Sequence, residues 1–218
     1  MKLKVDNQTI ICFDLDDTLY NEVDYLKSAY YEIAMDLDQK NGLFLYAKMF
    51  SLYRNKSNVF DYLIANYGIT LERLLSYYRT HIPIIKPFSG TEALFESIKK
   101  KHGKVVLITD GRSSTQRTKL KALGLLSYFD MINISEELGT EKPSEFNYRV
   151  VEEQFPNSRY VYIADNFRKD FIVPNQRNWD SIGLIDNGLN VHNTCFNHQS
   201  KKNKPKELVL KLNQIQIV

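Results

Sequence analysis

The apolar positions of this chain follow two rhythms. Short, nearly continuous runs each stop at a polar cluster: Ile10-Ile11-Cys12-Phe13, Val105-Val106-Leu107-Ile108, Met131-Ile132-Asn133-Ile134, Tyr160-Val161-Tyr162-Ile163-Ala164 and Ser181-Ile182-Gly183-Leu184-Ile185. Runs of this length, rich in β-branched residues, predict strands buried on both faces of a parallel sheet. Between most of them the spacing turns helical. Ser89 and Glu92 predict a capping box opening a helix with Leu94, Phe95 and Ile98 inward. Ser113 is expected to cap the next helix and Gly124 to close it. Ser144 is expected to cap a third, with Phe146, Val150 and Val151 on one side and Pro156 beyond its end. Strand and helix in alternation predict an α/β fold with a doubly wound parallel sheet.

From about Tyr20 to Lys86 the strand rhythm is missing. Leu26, Ala29, Ile33 and Leu37, then Phe60, Leu63, Ile64 and Tyr67, then Leu71, Leu74, Leu75 and Tyr78 recur every three or four residues, giving apolar helix faces. Gly68 ends one of these helices, and Pro83 and Pro87 return the chain to the sheet. The expected organisation is an α/β core of residues 1–19 and 87–218 with an α-helical insertion, 20–86.

Composition narrows the class. The chain has 218 residues, a 43% hydrophobic content and a net charge of +3 from 29 basic and 26 acidic residues, so neither sign dominates. The basic run Lys201-Lys202-Asn203-Lys204-Pro205-Lys206 reads as a solvated tail, and no nucleic-acid partner is expected. No apolar stretch is long enough for a signal peptide at Met1–Asp6 or for a membrane span anywhere. A Cys12–Cys195 disulfide is one reading of the two cysteines. The apolar run around Cys12 favours a buried thiol and a reducing, cytoplasmic setting.

Open α/β sheets bind ligands at the carboxyl ends of their strands. Those ends carry Asp14, Asp16, Thr109, Asp110, Asp165 and Asp186. If extended backbone continues past Phe13, Asp14 and Asp16 project to the same side. Two carboxylates about 4 Å apart repel by roughly 4 kcal/mol at an effective dielectric of 20. Either one takes a proton or a cation sits between them. Asp165 and Asp170 add two more carboxylates, and a hard oxygen donor set favours Mg²⁺ over zinc. Asp186 reads as part of a turn with Asn187 and Gly188.

Asp14-Leu15-Asp16-Asp17-Thr18-Leu19 after an apolar strand resembles the first signature of the haloacid dehalogenase (HAD) superfamily. Ile108-Thr109-Asp110-Gly111 is similar to the second, Lys142 in Glu141-Lys142-Pro143 to the third, and Asp165-Asn166-Phe167-Arg168-Lys169-Asp170 to the acidic fourth. All occur in family order. The resemblance implies a Mg²⁺-dependent phosphatase acting on a small phosphorylated metabolite. In it Asp14 is the nucleophile that forms an aspartyl-phosphate, and Asp16 is the general acid and then base. Thr109, the Asp110 N–H and Gly111 bind the phosphoryl oxygens, and Lys142 balances charge. Asp14, the Asp16 carbonyl, Asp165 and Asp170 hold the metal. Two positions depart from the family pattern: Ala164 where Gly is frequent, and Asp110 where Asn is common.

The same resemblance places residues 20–86 as a small helical cap. The stretch from Thr109 through Gln116, Lys119-Leu120 and Ala122-Leu123-Gly124-Leu125 is similar to sugar-phosphate and nucleotide phosphatases. Tyr20, Tyr25, Lys27, Arg54 and Lys56 are candidates for substrate selection. A phosphomutase would keep every core residue named here. A 2-haloacid dehalogenase would not need Asp16 or the metal, and a non-catalytic binding protein would be expected to have lost Asp14, Asp16 or Lys142.

Overall fold

The computed structural model of the protein describes residues 1–192, 197 and 200–218. Cys195, and with it the disulfide reading, lies outside the described residues. The chain divides into two units, Met1–Glu22 with Lys86–Val218, and Val23–Ile85.

The first unit is built on a six-stranded sheet. Its strands are β2 (Thr9–Phe13), β3 (Lys104–Thr109), β4 (Met131–Ile134), β5 (Arg159–Ala164), β6 (Asp180–Leu184) and β7 (Glu207–Val209), in the order β4-β3-β2-β5-β6-β7. Every pair is parallel. A separate parallel pair joins β1 (Lys2–Leu3) to β8 (Gln216–Ile217). From β2 the chain winds outward through β3 and β4, then returns to the other side of β2 with β5. That reversal opens a crevice at the carboxyl ends of β2 and β5. Phe13 pairs with Leu107 on one side and Ile163 on the other, so β2 is covered on both edges and buried throughout.

Alternate residues of β2 feed different faces of the sheet. Ile10 and Cys12 join a core with Tyr148 and Val151 from α8 (Phe146–Gln154) and Val173 from α9 (Ile172–Gln176). On the other face Phe13 meets Phe95 of α5 (Thr91–Lys100), ring centroids 5.0 Å apart. Helices therefore cover both faces, giving the expected α/β architecture. Among the described residues no helix is long and apolar enough to cross a membrane.

Several expected caps are not formed. Gly90, at φ 88, occupies the N-cap of α5, so Ser89 and Glu92 make no capping box. Glycine reaches this left-handed conformation without strain, whereas a side chain there would be strained. Ser113 is the first residue inside α6 (Ser113–Ala122) rather than its cap, and its N–H donates to Glu136. Ser144 likewise makes no side-chain cap of α8, whose buried face is Asn147, Tyr148 and Val151 rather than Phe146 and Val150. Gly124 does close α6: it lies at φ 71, and the next residue's N–H returns to the Leu120 carbonyl.

The second unit comprises nearly all of α1 (Glu22–Leu37), with α2 (Gly42–Arg54), α3 (Val59–Tyr67) and α4 (Leu71–Thr80). Leu26, Ile33, Leu45, Met49, Leu63 and Leu74 form its core. Asn58 caps α3 and Thr70 caps α4 through side-chain oxygens. The apolar spacing does not mark α2. It buries only Gly42, Leu45 and Met49 and leaves Leu43 and Phe44 66% and 80% exposed, which blurs its periodicity.

Candidate active site

Asp14 follows the last residue of β2, and its N–H donates to the Ile163 carbonyl at 3.0 Å, extending the ladder by one step. The sheet thereby fixes the backbone beneath this carboxylate, which is 7% exposed. Lys142 Nζ donates to Asp14 Oδ1 at 2.6 Å and to the Tyr162 hydroxyl at 3.2 Å. It also lies 2.8 Å from Asp170 Oδ1.

Asp14, Asp165 and Asp170 offer carboxylate oxygens that all lie within 4.8 Å of one another. Asp165 is held in place by Thr18, whose hydroxyl donates to it at 3.3 Å, and by the Asn190 amide at 2.9 Å. Asp170 Oδ2 accepts the Asn166 N–H at 3.2 Å. The buried Asp170 Oδ1 has an ion-pair contact with Lys142 but no hydrogen bond among the described residues. Three buried oxygens with one lacking a hydrogen bond fit a hard divalent cation.

The charge balance is legible in the acidities. Burial, with Asp170 adding repulsion, pushes Asp14 up to about 7 even though Lys142 opposes the rise. Burial and then Asp14 and Asp170 hold Asp165 well above the usual carboxylate range. For Lys142, burial favours the neutral amine, but Asp14 and Asp170 outweigh it and keep the ammonium.

Asp16 stands outside this oxygen group. Lys119 Nζ of α6 donates to both of its carboxylate oxygens, at 2.7 and 2.9 Å. Gln116 donates to Oδ2 at 3.1 Å, and the Tyr20 hydroxyl donates to Oδ1. Burial would raise Asp16, but Lys119 and these donors together hold it below the usual range. Asp14 and Asp16 are thus each paired with a lysine, Lys142 and Lys119.

The Thr109 hydroxyl accepts a hydrogen bond from Gln116 at 2.7 Å. Asp110 Oδ1 accepts the Lys142 backbone N–H at 2.9 Å, and its Oδ2 pairs with Lys169. The Gly111 N–H is committed to Ser135 Oγ at 2.9 Å, so this residue shapes the loop. Asp17, at φ 56 and buried, accepts the N–H groups of Glu22 and Val191 and ties together the loop after β2. Asp186 accepts N–H bonds from Gly188 and Asn190, as its turn reading requires.

Asp14, Asp16, Asp17, Thr109, Asp110, Gly111, Lys142 and Asp165 line a cleft of about 250 Å³ together with Glu22, Glu141, Asn166, Lys169 and His192. Burial, and next the charge of Asp16, pushes Glu22 up to about 8. Lys119, Lys169 and Asn190 join the site without belonging to any of the motif positions given a role by the resemblance. Gln116 and Lys119 sit one turn apart on α6, a spacing that places them on the same helix face.

Residues 11–184 match the haloacid dehalogenase-like hydrolase family, and the chain belongs to it. Among curated relatives, it is 28% identical to a glyceraldehyde 3-phosphate phosphatase of Methanocaldococcus jannaschii, over 73% of this chain and 77% of that one. It is 32% identical to the pyrimidine 5'-nucleotidase YjjG of Escherichia coli, over 50% of this chain and 47% of that one. The fold is shared with the HAD-hydrolase YfnB of Bacillus subtilis, solved bound to magnesium. The TM-score is 0.63 at 19% identity, over 96% of both chains.

Proposed function

We propose that the protein is a Mg²⁺-dependent phosphatase that releases phosphate from a small phosphorylated metabolite through an aspartyl-phosphate on Asp14. The observation that carries this reading is the placement of Lys142 against Asp14 and Asp170 beside Asp165. It combines a nucleophilic carboxylate, a buried cation and a three-oxygen cation site within a few ångströms.

Asp14, the Asp16 carbonyl, Asp165 and Asp170 would hold the metal, which would supply positive charge for the phosphoryl oxygens. An Asp14 oxygen attacks phosphorus and the bond to the leaving oxygen breaks, with Asp16 giving that oxygen its proton. Asp16 then takes a proton from water, which attacks phosphorus and returns Asp14 with free phosphate. Thr109 and the Asp110 N–H orient the phosphoryl oxygens, and Lys142 offsets charge around the nucleophile. Held ionised by Lys119, Asp16 is ready for the water-activating half of this cycle. Its acid half requires a proton taken up when substrate enters.

The helical unit is read as a cap that excludes water and selects the leaving group. The named relatives support sugar phosphates or nucleotides as substrate class. The test is phosphate release with Mg²⁺ from glyceraldehyde 3-phosphate, hexose phosphates and nucleoside 5'-monophosphates, with isomerised sugar phosphates measured in parallel. No release from any of these, or isomerisation outpacing it, would overturn the reading.

A further inference from the structure

Asp110 places a carboxylate inside the loop that the proposed reaction gives to the phosphoryl group. Its Oδ1 is used internally, accepting the Lys142 N–H. Its Oδ2 pairs with Lys169, which comes from the segment between the carboxylates Asp165 and Asp170. The two side chains are 17% and 31% exposed, and both line the cleft. The cleft also holds Asp14, Asp16, Asp17, Glu22, Glu141 and Asp165, while Lys142 and Lys169 are the lysines among its lining residues. Lys142 is already engaged with Asp14 and Asp170, and Lys119 with Asp16.

A phosphate dianion entering this loop meets the Asp110 charge at close range, and like charges in a partly dry site repel strongly. We infer that Lys169 is a charge-compensating positioning residue. It is required because residue 110 is an aspartate, and it neutralises Asp110 so that an anionic phosphoryl group can occupy the loop formed by Thr109, Asp110 and Gly111. Asparagine at position 110 would still accept the Lys142 N–H and would need no such partner. The inference rests on the phosphatase reading and adds to it a charge pair joining the second and fourth motifs.

Charge balance makes the test a matter of order. Inhibition by orthovanadate, a phosphoryl mimic, is measured on the full chain with Mg²⁺, alongside KM and kcat for p-nitrophenyl phosphate. D110N leaves Lys169 uncompensated, so vanadate should bind more tightly than to wild type. K169M leaves Asp110 uncompensated, so vanadate should bind more weakly and KM should rise more than kcat falls. D110N/K169M removes both charges and should return vanadate inhibition to near the wild-type value. Each step is expected to be roughly 3- to 30-fold, because both groups are partly solvated.

The proposal fails if the double variant binds vanadate as weakly as K169M, or if D110N binds it more weakly than wild type. Should K169M not fold, the ordering of D110N, wild type and the double variant still decides. A wild-type protein that neither releases phosphate nor responds to vanadate overturns the phosphatase reading itself, a result distinct from a misordered series.

Discussion

Lys119 grips both oxygens of the Asp16 carboxylate, at 2.7 and 2.9 Å, and the two side chains are 6% and 21% exposed. One ammonium bridging both oxygens holds the charge of the carboxylate and limits how it can turn. Lys119→Met should therefore mimic loss of Asp16 in part, lowering kcat by about 10- to 100-fold. Because Lys119 holds Asp16 ionised, the loss should fall on the water-activating half, so p-nitrophenyl phosphate should show a burst of p-nitrophenolate in rapid mixing. Slowed turnover without a burst would show that Lys119 does not act through Asp16.

The two carboxylates of the first motif should separate kinetically. Asp14→Asn should give neither phosphoenzyme nor phosphate. Asp16→Asn should slow turnover by about 10²- to 10⁴-fold. Its first step should survive better with p-nitrophenyl phosphate, giving a burst near one equivalent of p-nitrophenolate in rapid mixing. Normal turnover without a burst would remove the water-activating role from Asp16.

Metal binding should be visible without catalysis. A cation that binds only the folded protein stabilises it, by about 2.7 kcal/mol at one hundred times its Kd. Mg²⁺ should raise Tm and chelator should reverse the shift, while Asp170→Asn should abolish the response. A Tm indifferent to Mg²⁺ in the wild-type protein would leave Asp14, Asp165 and Asp170 without a metal.

Away from the cleft, Asp130 accepts the Val105 N–H at 2.9 Å and pairs with Lys99 and Lys104. Burial would raise its pKa, but Lys99, the Val105 N–H and Lys104 together leave it lowered. A carboxyl depressed on folding contributes stability above its unfolded pKa, near 4, and loses it as pH falls through the folded value. Asp130→Asn should therefore cost about 1–2 kcal/mol at pH 7. The difference from wild type should shrink below pH 4. Urea unfolding at both pH values checks this, and a constant difference would refute it.

The sheet and its acidic rim were legible because buried parallel strands are written as unbroken apolar runs ending where the ligand sits. The pairing of Asp16 with Lys119 was not, because that lysine lies 103 residues further along the chain. Lys119 and Gln116 lie on a helix whose polar residues look like an ordinary solvent face, although Gln116, Lys119 and Leu120 are buried. Asn190 reaches Asp165 from a loop 25 residues further along, a contact without any local signal. The helix caps failed for a simpler reason. Serine before an apolar pattern marks a candidate cap, but at α5 a left-handed glycine took the position, and at α6 the serine moved one step inside.

Cys12 lies fully buried two positions before Asp14, in the strand that both neighbours cover, and burial pushes its thiol well above the usual range. Folded protein should keep this sulfur inert, so a thiol reagent can reach it only when the middle of the sheet parts. The sequence contains two cysteines, and in a Cys195→Ser protein Cys12 would be the sole sulfhydryl. Its modification rate would then act as a built-in clock, timing how often the floor beneath the nucleophile opens with and without Mg²⁺ or vanadate in place.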